Sequence, residues 1–115
     1  MPCLSIRANV SCDDSVLTAA QNTLSKQMAS WLGKQESYVM VILQAGERML
    51  FAANEDPCAY CEVVSLGLSE EAMPELSQKL CATLYELLGV PQDRIYIRFD
   101  SPPRSHFGWN GKTFG

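Results

Sequence analysis

Histidine is almost missing from this chain, with His106 the single example. One histidine far from the Cys58-x-x-Cys61 pair, with no second paired motif, argues against a zinc site. Lys and Arg never cluster and no series of aromatics offers a stacking platform. With a net charge of −4, these absences speak against nucleic acid and other polyphosphate partners. No apolar stretch approaches the roughly 18 residues needed to cross a membrane. The opening residues include Arg7, Asn9 and Ser11 instead of a continuous apolar core, so no secretory leader is expected. Low-complexity segments and linkers are also lacking. The 115 residues therefore read as a single domain, 1–115, able to bury about two-thirds of its unfolded surface.

What is present begins with a repeat. Asp14 and Glu70 are 56 positions apart, and so are Gly33 and Gly89. Between those landmarks Leu17 matches Met73, Ala20 matches Leu76, Leu24 matches Leu80, Met28 matches Leu84 and Leu32 matches Leu88. Apolar residues three or four apart predict one amphipathic helix in each half. Each helix follows residues able to cap it (Asp13 or Asp14; Ser69 with Glu70 and Glu71) and ends at a glycine suited to a left-handed turn. Pro74 falls near a first turn, where its missing N–H costs nothing.

The runs Cys3–Val10, Tyr38–Leu43, Ala59–Leu66 and Ile95–Phe99 are rich in β-branched and aromatic residues and predict strands. The chain is thus expected to be α+β: a duplicated β-α-β unit, approximately 2–43 and 58–99, with two helices on one face of a four-stranded mixed sheet. Glu47–Ala52 reads as a short extra strand. Asn110-Gly111 is a turn signal that makes Phe107–Phe114 a small hairpin. Two helices cover one face, yet Val39, Met40, Val41, Ile42 and Leu43 are apolar at every position, so self-association is expected to cover the other face.

Two features suggest chemistry. Met1 is followed by Pro2, and a small second residue permits removal of the initiator. Pro2 would then carry a free secondary amine, a base, where its bland role is to begin an edge strand. The second feature is Cys58-x-x-Cys61, a spacing used by thiol redox proteins. In a strand, residues i and i+3 point to opposite faces and lie about 10 Å apart. A disulfide needs Cα atoms within about 7 Å, so no bridge is expected without local unfolding. Five cysteines, an odd number without an export signal, fit a reduced cytoplasmic protein.

These landmarks together resemble the macrophage migration inhibitory factor family of the tautomerase superfamily, over essentially the whole chain. The resemblance is carried by Met1-Pro2, Gly33-Lys34, Pro57-Cys58-Ala59-Tyr60-Cys61, Ser65-Leu66-Gly67, Asp93-Arg94-Ile95-Tyr96-Ile97, Gly108-Trp109-Asn110 and Thr113-Phe114. It implies a homotrimer whose three sheets close a barrel, with active sites at the subunit interfaces. It also implies cofactor-free keto–enol tautomerase activity on phenylpyruvate-like and dopachrome-like compounds, aromatic α-keto acids being the small-molecule partners.

By the same resemblance Pro2 is the catalytic base. Lys34 holds the substrate carboxylate, although its position after a helix end would also suit a cation placed against the helix dipole. Leu66 stands where the family has a β-branched aliphatic residue whose backbone helps bind substrate. Tyr38, Phe107, Trp109 and Phe114 form an aromatic wall, and Tyr96 enters from the neighbouring subunit. Arg98 is a departure, since the family members compared have asparagine there; a larger, permanently charged side chain bears on substrate preference. His106, in the proline-rich loop, reads as exposed. Two other readings stand beside the enzyme: a cytokine-like interaction protein acting through surface contacts, as the family's animal cytokines do, and a duplicated β-α-β ligand-binding domain. Family members also leave cells without a signal peptide.

Overall fold

A computed structural model describes residues 1–115. Alternation along the first strand sets the layering. In β1 (Cys3–Ala8) the residues Leu4, Ile6 and Ala8 are buried while Arg7 is exposed. The partner in the second unit, β3 (Ala59–Val64), buries Ala59, Cys61 and Val63 with the same period of two. β1 and β3 pair antiparallel at the centre of the sheet. β2 (Met40–Gln44) runs parallel to β1 at one edge and β4 (Ile95–Asp100) runs parallel to β3 at the other, giving the order β2-β1-β3-β4.

Both helices lie on the face bearing Leu4, Ile6, Cys61 and Val63. α1 (Asp14–Leu32) contributes Ala20, Leu24 and Met28, and α2 (Met73–Leu88) contributes Leu80, Leu84 and Leu88, to one continuous core. Asp13 begins α1 through its carbonyl, which accepts from the Val16 and Leu17 N–H groups at 3.0 and 3.1 Å, rather than through its side chain. Ser69 does not cap α2 directly; Glu70–Ala72 form a 3-10 turn, and α2 follows with Pro74 in its first turn.

The α+β arrangement and its duplicated unit are as the sequence predicts. The outer face is less apolar than expected. Met40 and Ile42 of β2 and Tyr96 of β4 are exposed there, but Arg7, Arg98 and Asp100 share that face, so it is mixed in character rather than apolar throughout. Glu47–Ala52 is not a strand. Ala52 and Ala53 adopt left-handed φ values of 53° and 62°, which turn the chain back so that only Phe51 and Asn54 bridge. Within the segment, the Glu47 N–H bonds the Ala8 carbonyl and the Arg94 guanidinium lies 5.0 Å over the Phe51 ring. The turn that follows is tied down by side chains, Asn9 Nδ2 donating to the Glu55 and Asp56 carbonyls and Arg94 Nε to the Pro57 carbonyl. The expected hairpin forms: β5 (Gly108–Trp109) pairs with β6 (Lys112–Thr113) around Asn110 and Gly111, both at positive φ as a tight primed turn requires.

Candidate active site

The start of β1 is where the chemistry-bearing residues converge. Pro2 is fully buried, and its carbonyl accepts the Met40 N–H at 3.0 Å, which fixes the chain terminus against β2. Lys34 arrives through the end of α1. Gly33 takes φ 64°, the Gly33 N–H reaches the Ser30 carbonyl and the Lys34 N–H reaches the Ala29 carbonyl at 2.9 Å. This paired closure stops the helix within one residue and sends the lysine out beside the terminus. A 3-10 turn, Glu36–Tyr38, then presents Tyr38 before β2 begins.

The hairpin closes the site from the other end of the chain. Trp109 lies edge-on to Tyr38 (5.8 Å between ring centroids) and stacks with Phe114 (6.2 Å, interplanar angle 10°). Phe107 and Phe114 meet at 6.0 Å, and the Phe114 N–H bonds the Phe107 carbonyl. Aromatic pairs at such separations add to the area they bury, so the wall supports itself.

Two cavities meet at the terminus, and Met1, Tyr38 and Trp109 line both. The first, about 360 Å³, is mainly apolar and is also lined by Pro2, Cys3, Met40 and Phe107. The second, about 300 Å³, is lined in addition by Lys34, Leu66, Arg104 and Phe114. Apolar and cationic chambers sharing one wall suit a ligand with an aromatic end and an anionic end. The amine at the terminus, here that of Met1, is held below its ordinary pKa, first by burial and then by the charges of Lys34 and Arg104. The Cys3 thiol at the edge of the apolar chamber is pushed up by burial.

The chain thus brings together Pro2, Lys34, Tyr38, Leu66, Phe107, Trp109 and Phe114. It leaves Tyr96 and Arg98 outside. Both are exposed on β4, which β3 separates from β1, so Arg98 is not beside Pro2 of its own chain. Tyr96 packs on Phe51 (4.8 Å), and Arg98 sits across from Glu62, which accepts the Tyr60 hydroxyl at 3.1 Å.

Arg104 is the residue that sequence reasoning missed. It follows two prolines, belongs to no periodic pattern and comes near Lys34 only because the hairpin folds back. Its Nε donates to the Phe114 carbonyl at 3.1 Å. His106 is exposed, as expected.

Cys58 and Cys61 are both buried and both free. Both are core residues at 0% exposure; Cys61 packs in the cluster beneath the helices, and Cys58 lies one step out of that alternation. Burial, with a smaller contribution from Cys81, pushes the Cys61 thiol up to about 12, where almost no thiolate exists to react. No group of three or more His, Cys, Asp or Glu side chains is arranged to hold a metal ion, and no helix is long and apolar enough to cross a membrane.

The family model described as macrophage migration inhibitory factor (MIF) matches residues 1–115. The Xenopus laevis macrophage migration inhibitory factor is 35% identical over 115 residues, covering 99% of each chain. The Brugia malayi homologue is 35% identical over 116 residues, covering 100% of each. Among solved structures, the Prochlorococcus marinus homologue superposes with a TM-score of 0.92 at 40% identity, covering 98% of this chain and 99% of that one. The chain belongs to the macrophage migration inhibitory factor family.

Proposed function

We propose that this protein is a cofactor-free keto–enol tautomerase in which Pro2, exposed by removal of Met1, is the base. The observation that carries the reading is the meeting of an apolar and a cationic chamber at the chain terminus. Phenylpyruvate-like and dopachrome-like compounds match that division, with the ring against Tyr38, Phe107 and Trp109 and the carboxylate towards Lys34. Met1 lines both chambers, so its loss would join them and leave the Pro2 nitrogen at the junction.

An ordinary amine is mostly protonated near neutral pH and is then no base. Desolvation and two nearby cations favour the neutral form, and the influences acting on the Met1 amine would act on the Pro2 nitrogen behind it. The neutral amine takes the proton from C3 of the keto acid. The C–H pair becomes the C2=C3 double bond, and the carbonyl π pair moves onto oxygen. Returning a proton to that oxygen gives the enol. The pyrrolidine ring fixes the direction of the lone pair. A lowered amine pKa puts the acidic limb of kcat/KM at lower pH, because the active species is the one without the proton.

Completion of the site by a second copy is part of this reading. A homotrimer would cover Met40 and Ile42 and would bring Tyr96 and Arg98 to a neighbour's terminus, where Arg98 would bear on substrate choice. The fold and family support this assembly.

The test is the ketonisation of enol-phenylpyruvate, followed by ultraviolet absorbance, with mass spectrometry confirming that Met1 is gone. Pro2→Ala is expected to lower kcat by about 10²–10⁴-fold, the range for a positioned base. An unchanged rate in the trimmed variant would overturn Pro2 as the base. A chain that retains Met1 is expected to fold but to lose turnover, which separates catalysis from any recognition through the outer surface.

A further inference from the structure

The cationic chamber holds more positive charge than a carboxylate requires. Lys34 and Arg104 both line it, and no Asp or Glu does. Neither is in an ion pair: the chain's salt bridges are Arg7–Glu47 and Lys79–Glu75. Two unneutralised cations converge here although the protein carries a net charge of −4. Arg104 is also held in place. Its Nε is committed to the Phe114 carbonyl at 3.1 Å, and the remaining guanidinium N–H groups make no hydrogen bond within the chain.

A 2-oxo acid enters with one negative charge, on its carboxylate. Loss of the C3 proton to the amine leaves the electron pair delocalised onto the carbonyl oxygen, so the intermediate carries two negative charges on neighbouring groups. The proton rests on the amine, which becomes positive, until it passes to the enolate oxygen. The second charge exists only from the transition state onward, and a group aimed at it accelerates the step instead of merely tightening binding.

We propose that Arg104 is a catalytic residue that stabilises the developing enolate oxygen, while Lys34 holds the carboxylate. The pair thereby matches the dianion of a 2-oxo acid and not its monoanionic ground state. This inference rests on the tautomerase reading. A guanidinium presents several donors in a fixed fork, and one edge of Arg104 stays available after Phe114 is bound.

The experiment compares phenylpyruvate turnover by the Met1-trimmed protein, Arg104→Gln, Arg104→Lys and Lys34→Gln, with near-ultraviolet circular dichroism reporting the Trp109 hairpin. Arg104→Gln is expected to lower kcat by about 100-fold with KM nearly unchanged, the cost of removing one charge-stabilising donor. Lys34→Gln is expected to act mainly on KM. Arg104→Lys should recover part of kcat, which simple loss of the Phe114 anchor would not allow. A kcat for Arg104→Gln equal to wild type overturns the proposal, and so does a loss in which the hairpin signal collapses and Arg104→Lys recovers nothing.

A binding arm separates this proposal from the reading beneath it. Phenylmalonate, a dianion, and trans-cinnamate, a monoanion, are titrated calorimetrically into wild type and Arg104→Gln. Wild type should prefer phenylmalonate and the variant should lose that preference. If wild type turns nothing over, the tautomerase reading falls, yet a preference abolished by Arg104→Gln still upholds the second anion position. A preference that is absent in wild type, or persists in the variant, overturns it.

Discussion

The two β-α-β units share a skeleton and differ at one junction. In the first unit Pro2 immediately precedes the strand, and Gly33 closes the helix before Lys34. At the matching positions of the second unit stand Cys58 and, after Gly89, Val90. Gly33 and Gly89 both take left-handed φ, 64° and 72°. Yet Lys34 is exposed at a cavity while Val90 is fully buried in the core. Pro2 stands one residue from the chain end, where trimming would free an amine. Cys58 is mid-chain, its N–H committed to Asn9 Oδ1 at 2.9 Å. The fold therefore supplies two equivalent corners, and the C-terminal hairpin builds a chamber over the one that has a terminus. The other is filled as core.

The sharpest way to break this comparison is to exchange the residues after the two glycines. Val90→Lys would place an ammonium in the buried hydrophobic cluster, and removing such a charge from water costs several kcal/mol. A protein that is unfolded, or whose denaturation midpoint falls severely, is expected. Lys34→Val exposes one more apolar side chain and should leave stability within about 0.5 kcal/mol. Its effect belongs to function: KM for phenylpyruvate rises, and the acidic limb of kcat/KM moves to higher pH. The sign follows from Lys34 lowering the terminal amine's pKa; without it the amine keeps its proton to higher pH. Equal stability losses at the two positions would end the distinction between a site corner and a core corner.

A second pair sharpens the shared part. Leu24 of α1 and Leu80 of α2 occupy matching positions, and their exposures are 0% and 1%. Leu→Ala at such sites costs about 2–5 kcal/mol, depending on how far the cavity collapses. Similar losses in chemical denaturation are expected for the two variants, each with near-native turnover in the folded fraction. A large imbalance would mean that the two helices do not carry the core equally.

These pairs also show what could be read before folding. Leu24 and Leu80 announced the helices because a 3.6-residue period is a local signal that burial makes obligatory. Asn110-Gly111 announced the hairpin because few other dipeptides accept two positive φ values. Lys34, Tyr38, Phe107, Trp109 and Phe114 come from likeness to a family and meet beside Pro2, which Met1-Pro2 already points to, whereas Tyr96 and Arg98, reached the same way, lie elsewhere on their own chain. Glu47–Ala52 misleads because Met49, Leu50 and Phe51 have strand-like character but no strand to pair with. The chain turns back after Phe51, and Asn9 and Arg94 hold the turn that follows, at Glu55–Pro57, through side-chain bonds of long sequence separation. Arg104 was silent for a related reason. Its position depends on the return of Phe114, a tertiary contact with no trace in local pattern.

The smallest expected effect tests the corner itself. A Cβ at Gly33 or Gly89 would meet nothing within 4 Å, so the cost of alanine at either is conformational rather than steric. Left-handed backbone disfavours any residue with a side chain by about 1 kcal/mol, and Gly33→Ala and Gly89→Ala should lose similar, modest stability. Activity is where they part. The Gly33 turn delivers the Lys34 N–H to Ala29 and so aims the lysine, whereas the Gly89 turn leads only to buried Val90. Gly33→Ala should therefore raise KM for phenylpyruvate several-fold, and Gly89→Ala should not change it. Equal KM values for the two would mean that Lys34 reaches the chamber through its own flexible side chain, without help from the helix end.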